Sequence, residues 1–144
     1  MPIGGPANDP HKLVMRTALR WLLAIFYAYT GYAHIATPAP FLQIMPPMIP
    51  WPEQVVLWTG IAELLGAAAL AQPISAPLRR AGAIGLALYA LCVWPANINH
   101  MMMDLASADG GFGLAYHIPR MIAQPLIIWL ALWTGRVVDW PFRR

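Results

Sequence analysis

The sequence predicts an all-α integral membrane protein, an antiparallel four-helix bundle with both termini on the cytoplasmic side. Three observations carry that expectation. Four apolar stretches, at about 13–35, 54–72, 81–103 and 115–138, are each close to the roughly 20 residues that cross about 30 Å of hydrocarbon. Hydrophobic residues make up 59% of the 144-residue chain and charged residues 10%, against roughly 45–50% and 25% in soluble domains. One core of this size could not hide that excess, so lipid is the simpler place for it. Finally, Lys12, Arg16, Arg20, Arg79, Arg80, Arg136, Arg143 and Arg144 fall on one side of a four-span arrangement, leaving only Arg120 toward the other. By the positive-inside rule the crowded side is cytoplasmic, which places the protein in a bacterial-type inner membrane.

Taken in order, residues 1–12 are rich in Pro and Gly and are expected to be a flexible start to a single membrane domain. The first apolar run lacks a small-residue cleavage site and is expected to be a retained anchor. Its Arg16 and Arg20 share one face, and their long stems can snorkel to the near interface. Residues 36–52 hold Pro38, Pro40, Pro46, Pro47, Pro50 and Pro52. Each ring removes a backbone donor, so a loop is expected, and its apolar content suggests a cap over the outer end of the bundle. The connections 73–80 and 104–114 are short enough to join antiparallel neighbours.

Several activities are excluded at this level. Cys92 is the single cysteine, so this chain alone forms neither a disulfide nor a Cys-x-x-Cys redox pair. Basic residues sit at helix ends without interleaved aromatics, which argues against nucleic acid. No phosphate-binding loop, dinucleotide fingerprint, Cys/His zinc pattern or matched pair of haem histidines is visible. Trp21, Trp51, Trp129, Trp133 and Trp140 lie near span ends, where an interfacial aromatic belt explains them.

Glu63 is the most informative residue. It lies ten residues into the second span, roughly 15 Å deep at 1.5 Å per residue. A carboxyl there costs at least ~2.5 kcal/mol on insertion scales and needs an inward-facing partner. Gly60 and Gly66 flank it and would let another helix approach closely. His117, Arg120 and Gln124 share a face of the fourth span, Asn97 and His100 one of the third, and Tyr27, Thr30 or Gly31, and His34 one of the first. These stripes predict a ligand site of Glu63, Arg120, Asn97, Gln124, His34, His117 and His100, with Glu63 and Arg120 paired directly or through Asn97, Gln124 or water. The competing expectation is a polar layer that only specifies helix packing in a structural or assembly subunit. A weaker alternative is copper held by His100, Met101 and Met103, since thioethers and imidazole suit Cu(I); against it, consecutive helical residues point in different directions.

The order Gly31-x-x-His34, Pro40 through Pro46-Pro47 to Pro50, Gly60-x-x-Glu63, Trp94-Pro95-Ala96-Asn97-Ile98 and Arg120-x-x-x-Gln124-Pro125 resembles the DoxX-like membrane proteins from about Gly31 to Trp133. That resemblance implies a four-helix membrane bundle in a redox setting, since founding members belong to a quinone-linked complex of sulfur metabolism. It implies a small subunit or binding component that holds a quinone or another lipophilic molecule. Its partners would be membrane lipid, membrane oxidoreductase subunits or further copies of itself. The chain offers no redox centre of its own, so any reaction would need an external electron donor, and no catalytic residue is assigned.

Overall fold

Proline marks most of the helix starts. Its ring presets φ near the helical value, and its missing N–H costs nothing in a first turn, where that donor has no intrahelical acceptor. In the computed structural model, which describes residues 10–141, α1 (Pro10–Ala36), α2 (Ala39–Gln43), α3 (Pro52–Ala71) and α4 (Ala76–Ala106) each carry proline in the first turn. The last helix, α5 (Leu114–Thr134), instead follows Gly113 at φ 71°. No strand occurs among the described residues.

The same use of proline explains α2, a short helix inside the stretch expected to be a loop. Pro38 and Pro40 occupy its cap and first turn, where they begin a helix as readily as they would break one further in. Helix α4 starts at Ala76 rather than near 81, because the Ser75 hydroxyl accepts the Leu78 amide and caps it. Arg79 and Arg80 therefore belong to its first turns. Helix α5 stops at Thr134 rather than near 138, where Gly135 caps it and Arg136 turns left-handed at φ 60°. Of the expected flexible start, residues 1–9 lie outside the described residues, as do Arg143 and Arg144.

The long helices contact one another around a ring, α1 on α3, α3 on α4, α4 on α5 and α5 back on α1, with α2 resting on α3. Leu23, Tyr27, Ala67, Leu70, Ala83, Leu86, Ala87 and Ala131 form the core between them. Small residues set the closest approaches. A Cβ on Gly31 would stand 2.8 Å from the Gly60 carbonyl oxygen, and one on Gly60 2.8 Å from His34 Cβ, so α1 and α3 touch backbone to backbone there. Gly66 instead makes room for the Leu86 side chain of α4.

One end of the ring collects cations. Arg16 Nη2 donates to Asp139 at 2.7 Å and its guanidinium lies 4.6 Å from the Trp133 ring centroid. Arg79 donates to the Gln72 carbonyl and Arg80 to that of Arg136. Outward faces are apolar: Leu22, Ile25, Leu88 and Leu126 are all more than half exposed. Two helices, Pro52–Ala71 and Ala76–Ala106, are long and apolar enough to cross a membrane.

Candidate functional site

Away from the cationic end, the helices part around a cavity of about 570 Å³. Tyr27, Thr30 and His34 reach it from α1, and Val56, Thr59 and Glu63 from α3. Tyr89, Asn97 and Pro95 come from α4, with Arg120 and Gln124 from α5. Phe41, Ile44, Met45, Pro46 and Ile49 close it from the α2 segment. The spacing that placed stripes on three faces thus brings five of the seven expected ligand residues to one space: Glu63, Arg120, Asn97, Gln124 and His34.

Glu63 is 2% exposed, a depth at which a carboxylate must be hydrogen-bonded. Thr30 Oγ1 donates to its Oε1 at 2.8 Å. The close approach at Gly31 and Gly60 makes that bond possible, because it brings the neighbouring turns of α1 and α3 within side-chain reach. His34 Nδ1 stands 2.8 Å from both Glu63 Oε2 and the Thr30 carbonyl oxygen. One N–H cannot align with two acceptors, and the carbonyl takes it, so Oε2 receives no aligned hydrogen bond. The Tyr27 hydroxyl is also buried without a hydrogen-bond partner. His34 itself is stacked on Phe41, with ring centroids 3.7 Å apart.

Across the cavity, Arg120 Nη2 donates to Asn97 Oδ1 at 2.6 Å and Nη1 to His100 Nδ1 at 2.8 Å. Both acceptors are neutral. Among the described residues no ion pair joins Arg120 to Glu63 or to another carboxylate. Direct pairing, one of the expected arrangements beside bridging by Asn97, Gln124 or water, is therefore absent: Thr30 and His34 lie against Glu63, and Asn97 and His100 take donors of Arg120. Pro95, two residues before Asn97 inside α4, lines the same space.

The other two expected residues, His100 and His117, lie beside this space rather than on its lining. His117 is fully buried and its Nε2 donates to Asp104 Oδ2 at 2.8 Å; His100 Nε2 lies 3.6 Å from the same oxygen. Asp104 ends the run that begins at His100 but was assigned no ligand role from the sequence, although its i, i+4 relation to His100 was legible. Met103 does not join His100: it is half-exposed, and its Sδ accepts from Asn99 Nδ2.

The model of a family described as "Domain of unknown function (DUF8561)" matches residues 23–136. That match overturns the DoxX-like resemblance: the shared order of Gly, Pro, Glu and Asn positions is one that any bundle with close helices and a polar layer can present. No curated protein and no solved structure matches the chain.

Proposed function

We propose, from the premise that this chain belongs to the DUF8561 family, that it is a membrane-embedded binding protein for a small lipophilic molecule carrying a carbonyl, carboxylate or hydroxyl group. In this reading α1, α3, α4 and α5 all span the bilayer, with both termini on the cytoplasmic side. Two features support the arrangement. The Arg16–Asp139 ion pair and the hydrogen bond from Arg80 to the Arg136 carbonyl bring the starts of α1 and α4 and the segment after α5 to one cationic end, in keeping with the positive-inside rule. The outward faces carry large exposed side chains such as Leu22, Ile25, Tyr29 and Leu126, which need an apolar covering.

The observation that carries the functional reading is a cavity lined by opposite charges that do not pair with each other. Its volume of about 570 Å³ falls within the roughly 300–1,000 Å³ of small-molecule sites. A guanidinium has five N–H donors in a fixed fork, so Arg120 keeps donors for a carbonyl or carboxylate beyond Asn97 and His100. Opposite it, Glu63 Oε2 can accept from a hydroxyl. Between them the apolar walls suit rings or chains, and a quinone is one member of the class that fits. A redox role depended on the DoxX-like resemblance and has no separate support.

Mass spectrometry of small molecules retained by the full chain in lipid nanodiscs tests this. Wild type should carry a specific lipophilic compound, and Arg120→Met should lose about tenfold or more of it, in line with about 1.5–3 kcal/mol for a hydrogen bond to a charged group. Only bulk lipid, in equal amounts in both proteins, would overturn the reading. The assembly alternative is favoured by the bond from Thr30 to Glu63 Oε1, which joins α1 to α3; it predicts that Glu63→Gln changes which proteins co-purify, with no change in retained compounds.

A further inference from the structure

Outside the cavity, one cluster of side chains among the described residues has metal-ligand chemistry. We infer that His100, Asp104 and His117 bind one divalent first-row transition ion, such as zinc. Their ligand atoms all lie within 4.8 Å of one another. His117 Nε2 is 2.8 Å and His100 Nε2 3.6 Å from Asp104 Oδ2. Ligands about 2.0–2.2 Å from a tetrahedral ion stand roughly 3.3–3.6 Å apart, so the three atoms need to move by less than a side-chain rotation supplies.

The sequence builds the cluster locally. His100 and Asp104 are one helical turn apart on α4 and share a face. The following loop returns α5 so that His117, in its first turn, lies against them, and the two imidazoles meet edge to face with centroids 5.0 Å apart. Gly111 permits this return: at φ 51° it is left-handed, and a Cβ there would fall 2.3 Å from Asp104 Cγ. The Phe112 amide then donates to Asp104 Oδ2 at 2.9 Å, which orients the carboxylate. Two imidazoles and one carboxylate form a nitrogen and oxygen set suited to zinc or iron(II), and three protein ligands leave room for a further one. The donor set differs from the copper expectation, because Met103 turns its sulfur to Asn99.

Proton positions change without net release. Arg120 can only donate, so His100 Nδ1 accepts from it and Nε2 carries the hydrogen. His117 likewise donates through Nε2 to Asp104. Ligation through both Nε2 atoms moves each hydrogen to Nδ1. The Nδ1–H of His100 then opposes an Arg120 N–H, and that guanidinium arm must turn to another acceptor.

The plain alternative is that Asp104 only fastens the loop to α4. Titration of the full, untagged chain in nanodiscs with zinc, read by elemental analysis after desalting, separates the two. About one zinc per chain is expected. Affinity should fall at least tenfold in His100→Gln, the order seen when a metal site loses supporting contacts, and stay unchanged in the double variant Met101→Leu, Met103→Leu. His100 takes no part in the bonds from His117 and Phe112 to Asp104, so His100→Gln keeps the loop fastened even if Asp104→Asn unfolds. No stoichiometric uptake, uptake unaltered in His100→Gln, or loss confined to the methionine variant would overturn the inference.

Discussion

On the α1–α3 side of the cavity an acidic group lies where two backbones touch; on the α4–α5 side a basic group lies between two helices that carry internal prolines. Glu63 is nearly inaccessible and is held by a hydroxyl from the next turn over, across the contact of Gly31 with Gly60. Arg120 is half-buried and spreads its donors over Asn97 and His100 on another helix, with Pro95, Pro119 and Pro125 nearby in the two helices. The first wall derives its geometry from close packing, which tolerates little movement. The second derives its geometry from side-chain hydrogen bonds, which can be exchanged for those of a ligand. Opposite charges facing one cavity need not neutralise each other, provided each finds nearer partners.

The comparison can be broken most severely at the contact itself. Gly60→Leu places a branched side chain against His34 and the Gly31 carbonyl, and overpacking of this kind costs about 1–3 kcal/mol or more. Thermal unfolding in nanodiscs should show a clear fall in midpoint, and a tolerated leucine would mean that the α1–α3 wall is not rigid.

A smaller effect is expected where the capping segment is tied to the second wall. Asn99 Nδ2 donates to the Ile44 carbonyl at 3.0 Å, and its loss in Asn99→Ala should cost about 0.5–1.5 kcal/mol. Hydrogen exchange should rise in 38–50 while α1 and α3 keep their protection. Equal rises in α1 and α3 would erase the distinction between the walls.

The smallest effect belongs to the exposed turn after α4. Asp109 is held below its ordinary value of 3.8 by the Ser107 hydroxyl and the Gly111 amide. A lowered carboxyl supports the fold above its unfolded value and loses that support as pH falls through the lower folded one. The Gly111 amide resonance should therefore shift with acid below about pH 4 in wild type and stay flat in Asp109→Asn.

Much of this was legible in the sequence because helices announce themselves by length and apolar content. All four long helices lie where the apolar stretches do, and the errors sit at their ends, where Ser75 and Gly135 decide through capping what hydropathy does not register. Helix periodicity also brought Glu63, Arg120, Asn97, Gln124 and His34 to one space. It could not say which groups would pair, because that depends on which side chains of neighbouring helices come within hydrogen-bond reach, here Thr30 for Glu63 and Asn97 for Arg120. Nor could it join His117 to Asp104, a contact made by a loop whose path follows from Gly111. The DoxX-like resemblance failed for a related reason: positions dictated by bundle geometry carry little information about ancestry.

The touching backbones at Gly31 and Gly60 also bear on how the proposed site could open. A seam with no side chains to rotate away cannot open by a change of rotamer, whereas the 38–50 strap beside it is held by Asn99 and by the stacked rings of Phe41 and His34. If the proposed site takes a guest, displacing that strap disturbs the stack of Phe41 on His34, the histidine beside Glu63.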